Sequence, residues 1–114
     1  MSLETDLTTA ITALCSRCYP DTAPHDTARP YVTWQQVGGP VQSPLDSSAP
    51  AEGARMQINV WADSRKAANE LMQSIAAAIR VAPLHARPTS ALIARREDIA
   101  DLYGAQQDFL IWRT

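Results

Sequence analysis

Apolar residues follow two different periods in the stretch Arg55 to Ala82, and the change falls at Asp63. Before it, Met56, Ile58 and Val60 alternate with Gln57, Asn59 and Trp61, the two-residue period of a strand with unlike faces. After it, Ala67, Leu71, Ile75, Ala78, Ile79 and Ala82 recur at helical spacing, with Ala68 and Met72 widening the stripe. Asp63 stands where an N-cap is expected, because its carboxylate can accept from the first free backbone N–H groups. Pro83 ends the helix, since it can neither donate a bond nor tolerate an α-helical residue before it. Burial of Leu71, Met72, Ile75 and Ile79 contributes at most about 1.5–3 kcal/mol each. The rest of the chain is expected to pack on this strand and helix.

The same patterns place the other elements. Leu3, Leu7, Ala10, Ile11, Leu14 and Cys18 share one face of a first helix, with Ser2 as its cap. Pro20, Pro24 and Pro30 make Tyr19–Pro30 irregular, and Tyr31–Val37 (YVTWQQV) reads as a strand stopped by Gly38-Gly39-Pro40. Val41–Ala54 holds little that can be buried, only Val41 and Leu45 being sizeable and apolar, so 38–54 is expected to be a flexible loop between paired strands. Thr89–Arg96 is a strand of unclear facing, Glu97–Gly104 a polar turn, and Ala105–Arg113 the last strand. The resulting order is α-β-β-α-β-β over a single domain, residues 1–114. This is an α+β fold: a four-stranded antiparallel or mixed sheet with both helices packed on one face. Met56, Ile58, Val60, Phe109 and Ile111 then face the helices. Gln57, Asn59, Trp61, Asp108, Leu110 and Trp112 form an opposite face too aromatic for plain solvent and too polar for a core; either it is a subunit interface or a loop buries one or more of the tryptophans.

Composition narrows the function more than it defines it. A net charge of −2 over 114 residues argues against a protein that coats nucleic acid. The start MSLETDLTTA has no apolar core of a signal peptide, and the longest apolar run, Ile75–Ile79, is too short to span a bilayer, so a cytoplasmic chain is expected. Cys15-Ser16-Arg17-Cys18 is a C-x-x-C at the end of a helix rather than the start of one, and Cys18 falls on the apolar stripe, where a thiol is a small hydrophobe. His25 and His85 bring a zinc count to four without the spacing of a compact module. No constrained nucleophile turn accompanies these histidines, and the acidic run Glu97, Asp98, Asp101 lacks the ligand spacing of a calcium loop. Arg80, Arg87, Arg95 and Arg96 suit phosphate or an acidic protein surface such as a neighbouring subunit's Glu97–Asp101 turn. No catalytic residue, cofactor or metal is expected.

Taken together, the start MSLETDL, Tyr19-Pro20, the strand RPYVTWQQVGG from Arg29, QINVWADSRKAANELM from Gln57 and the ending LYGAQQDFLIW from Leu102 resemble the tail-completion proteins of long-tailed bacteriophages, also described as tail-to-head joining or tail-terminator-like proteins. The resemblance implies a structural protein that closes as a ring, with a hexamer as the expected form, on the finished tail tube. Its partners would be further copies of itself, the tail tube protein and a head-connector or neck protein, with no membrane and no sequence-specific nucleic acid. It would assemble in the bacterial host cytoplasm and end at the head-proximal end of the tail. Other readings are a head-closure or neck adaptor subunit and a non-virion prophage-encoded binding module. The expected assembly interface comprises Val41, Leu45, Gln57, Asn59, Trp61, Leu110 and Trp112.

Overall fold

Two long antiparallel strands, Glu52–Ala62 (β3) and Leu102–Arg113 (β6), pair without interruption from Glu52↔Arg113 to Ala62↔Tyr103. They form the spine of a computed structural model that describes residues 3–38, 52–81 and 83–113. Around them, in chain order, stand α1 (Leu3–Thr12), β1 (Cys18–Pro20), β2 (Tyr31–Gln36), α2 (Arg65–Ile79), β4 (Arg87–Pro88) and β5 (Ile93–Glu97). The sheet runs β1-β2-β3-β6-β4, and β5 also pairs with β6. Among the described residues only β1 and β2 are parallel; every other pair is antiparallel.

The expected α+β class holds, but among the described residues the sheet has six strands rather than four. The two additions, β1 with three residues and β4 with two, are too short to reveal a period and each contains a proline, Pro20 and Pro88. Proline reads as a breaker, yet it is tolerated on an edge strand, where its missing N–H is not needed by a second neighbour. Both strands lie at the ends of the sheet order. β3 begins at Glu52, so its first three residues fall inside the 38–54 stretch expected to be loop. Most of that loop lies outside the described residues, as does the Ser2 cap.

The helices also differ in detail. Cys18 is not on the α1 stripe: α1 ends at Thr12, the backbone N–H groups of Leu14 and Cys15 close back on the Ile11 carbonyl, and Cys18 opens β1 opposite Val32. An apolar residue at helical spacing satisfied the period without belonging to the helix. At α2 the cap is Ser64, not Asp63. Ser64 is extended, and its Oγ accepts from Ala67 N at 3.1 Å. Asp63 instead accepts from Arg29 Nη1 at 3.0 Å. The buried stripe of α2 is Ala68, Met72, Ile75 and Ile79; Leu71 is half-buried and Ala67 exposed.

Alternation along the sheet builds the core. Met56, Ile58 and Val60 of β3 and Phe109 and Ile111 of β6 are fully buried against Met72, Ile75 and Ile79 of α2 and Leu7 and Ile11 of α1. Val32 and Trp34 of β2 join them opposite Val60 and Ile58. The odd-numbered positions of β3 therefore point away from the helices, and they carry the candidate site.

Candidate functional site

Register fixes which residues share the helix-free face. Gln35, Gln57 and Asp108 lie in one row across β2, β3 and β6, Thr33, Asn59 and Gln106 in the next, and Tyr31, Trp61 and Gly104 in the third. Gln57, Asn59, Trp61 and Leu110, four of the expected interface residues, are all on this face and all half-buried. Trp112 is in β6, paired with Gly53. Val41 and Leu45 lie outside the described residues. Three residues missed in the sequence belong here too: Tyr31, Gln35 and Gln106. The alternation of YVTWQQ placed Tyr31, Thr33 and Gln35 on one side, which would have found two of them.

The face is polar by hydrogen-bonding capacity rather than by charge. Arg55 and Asp108 pair across it at 3.2 Å, and Arg95 Nη1 donates to Gln106 Oε1 at 2.7 Å. Gln35, Gln57 and Asn59 have no side-chain hydrogen bond to any described residue, although each is half-buried. Amides held on a rigid sheet with donors and acceptors still open suit a partner's backbone or side chains.

Trp61 ends the row differently. A Cβ on Gly104 would come within 2.8 Å of the Trp61 ring and 3.2 Å of Arg95 Cβ, so the indole lies flat on bare backbone. Only glycine leaves room for that approach. Beside the ring, Asp21, Thr22, Tyr31, Thr33 and Leu102 line an open cleft of about 300 Å³. The Tyr31 hydroxyl titrates above its ordinary value because burial disfavours the phenolate, an effect Arg29 partly offsets, so it stays a neutral donor. The segment before Tyr31 thus walls one end of the face, while the row of Gln35, Gln57 and Asp108 lies beyond it.

The other candidate chemistry does not converge. Cys15 and Cys18 are free. Cys15 is buried, its Sγ 3.4 Å from the Pro30 carbonyl. Burial pushes the Cys18 thiol up to about 11, nearby Cys15 adds to the rise, and the Trp34 indole N–H opposes it. That indole contact falls short of good hydrogen-bond geometry, and Trp34 Nε1 has no other partner among the described residues. A thiol held protonated is a poor nucleophile and a poor metal ligand. His25 is exposed and sits 3.4 Å from Asp26; His85 is exposed on a separate turn. Among the described residues no three His, Cys, Asp or Glu side chains are grouped to hold a metal, and no helix is long and apolar enough to cross a membrane. The arrangement offers contact surfaces.

Comparison with known proteins agrees with that. A chain in the solved virion of a native gene transfer agent particle superposes with a TM-score of 0.67 at 19% identity, covering 98% of this chain and 94% of that chain. At that identity the likeness is one of fold. No curated protein sequence matches significantly. The family model described as tail completion protein gp17 matches residues 4–114, essentially the whole α-β order derived above. The chain belongs to the tail completion protein gp17 family, structural proteins of bacteriophage virion assembly.

Proposed function

We propose that this protein caps the completed tail tube and joins the tail to the head, closing as a ring of identical subunits. It works by shape and contact rather than by catalysis. The observation that carries this reading is the helix-free sheet face. Gln35, Gln57 and Asn59 are preorganised there on adjacent strands, with Trp61 and Leu110 on the same surface. A mixed amide and aromatic surface is the composition of an assembly interface that must also tolerate water before assembly. Gln57, Asn59, Trp61, Leu110 and Trp112 supply its sheet portion, and Val41 and Leu45 extend it. The partners are other copies of the chain, the tail tube protein and a head-connector protein. Its place is the head-proximal end of the tail after assembly in the host cytoplasm.

Electron microscopy of tails assembled with and without the chain tests the proposal. Without it, tubes should run overlong or tails should fail to join heads, and a labelled chain should mark the upper tail end. Normal tails in its absence, or label confined to the head connector, would overturn it.

A further inference from the structure

The turn between β5 and β6, residues 98–101, is built to present one side chain. Ile99 at its tip is 97% exposed. Everything beneath it is clamped. Asp101 N closes the turn on the Asp98 carbonyl at 3.3 Å. Arg96 donates to the carbonyls of Glu97 at 2.8 Å and Leu102 at 3.1 Å and to Asp101 Oδ1 at 2.6 Å, with its guanidinium 4.4 Å over the Tyr103 ring. From the other side Arg29 donates to the carbonyls of Ala100 and Asp101 and to Asp63. Glu97 Oε1 accepts from Ile99 N at 3.2 Å. A branched apolar side chain on a turn held this firmly loses little freedom on docking, which favours its use as an anchor.

A matching recess exists on the same chain. Along the helix side of the sheet, Ala76 and Ala77 of α2, its C-cap Arg80, and Ala86, Pro88 and Leu92 line a groove of about 420 Å³. Its floor is apolar. Arg80 stands at its rim and forms no ion pair among the described residues. Glu97, Asp98 and Asp101 flank Ile99; Asp98 and Asp101 also meet Arg96, at 3.8 and 2.6 Å, but the Asp98 side chain is 92% exposed and is open to a second cation such as Arg80. The two surfaces cannot meet within one chain. Gln107, which also lines the groove, is five residues along β6 from Leu102, roughly 17 Å at the rise of an antiparallel strand.

We infer that the Ile99 tip of one subunit seats in the α2–β4 groove of a second copy of this chain, with Asp98 beside Arg80. This rests on the ring reading above and names its subunit contact. Each copy offers both surfaces at different places, so the contact is head-to-tail, the type that closes rings. The amide face is left free for the other partners.

Sedimentation velocity over a concentration series of the full-length chain tests it. The wild type should associate reversibly. Ile99→Asp and the groove-filling Ala77→Trp should each raise the concentration needed at least ~10-fold, while melting curves confirm that both fold. Asp98→Arg or Arg80→Glu alone should weaken association, and the two together should restore it to within about 2-fold. A wild type that stays monomeric, or association indifferent to both Ile99→Asp and Ala77→Trp, overturns the inference. If Ile99→Asp still associates and still caps tails, the contact is wrong and the capping role stands. If it abolishes association while tails stay normal, the contact stands and the capping role falls.

Discussion

Consecutive residues of β3 obey opposite rules. Met56, Ile58 and Val60 are fully buried under the helices, whereas Gln57, Asn59 and Trp61, one residue away in each case, stay half-buried on the amide face. The backbone, the hydrogen-bond ladder and the register are common to both sets. What separates them is whether this chain supplies the cover. Over β3 the helix side is satisfied from within and sets stability. The other side is satisfied only in part, so its residues can change without much cost to the fold; on the proposed function their loss is felt in assembly instead.

The sharpest way to break that contrast is to cut one residue on each side. Ile58→Ala should destabilise the chain by about 2–5 kcal/mol, from lost transfer energy and an unfilled cavity. Asn59→Ala should fall within about 0.5 kcal/mol, as surface substitutions do, yet weaken tail capping. Urea unfolding of the two variants checks the first half, and equal losses would mean the two sides are not distinct. Gly104→Ala sharpens the contrast at the end of the amide face. Its methyl group would strike the Trp61 ring, so a loss of about 1–3 kcal/mol with a shift in tryptophan fluorescence is expected. An unchanged spectrum would mean that the ring is not seated on the backbone.

Smaller effects come from where β3 gives way to α2. Ser64→Ala should cost about 1 kcal/mol through the lost cap. Asp63→Ala should cost about 0–1 kcal/mol and in a salt-sensitive way, since it removes only the outlying ion pair with Arg29. Thermal melts at two salt concentrations distinguish them. The least disturbing probe is Cys18, which faces the covered side at the β1 edge. With its thiol raised from an ordinary 9.0 to about 11, native protein at pH 8 holds about 100-fold less thiolate than unfolded chain, and iodoacetamide should react correspondingly more slowly. The sign follows. A raised value favours the protonated thiol in the folded state, so this contribution to stability is complete below pH 9 and disappears as pH climbs through 9 to 11.

The covered side was legible in the sequence because burial imposes a period. Met56, Ile58, Val60, Phe109 and Ile111 are all where alternation put them. The amide face followed by subtraction, and Gln57, Asn59, Trp61 and Leu110 share it as expected. Illegible were the parts without a period: β1 and β4, whose prolines masked them, and the choice between adjacent cap residues Asp63 and Ser64. The partition of the arginines was equally hidden. Arg96 and Arg29 are committed to bracing a turn, while Arg80 is left over, and only long-range placement separates those fates.

The β5 strand has a consequence of its own. All five residues, Ile93 to Glu97, are exposed, and three are charged: Arg95, Arg96 and Glu97. Such a short ribbon gives a stray extended segment few bonds and a line of charges to cross, so it discourages runaway stacking into fibrils. In a structural protein of virion assembly, such an edge leaves little for stray strands of further copies to extend.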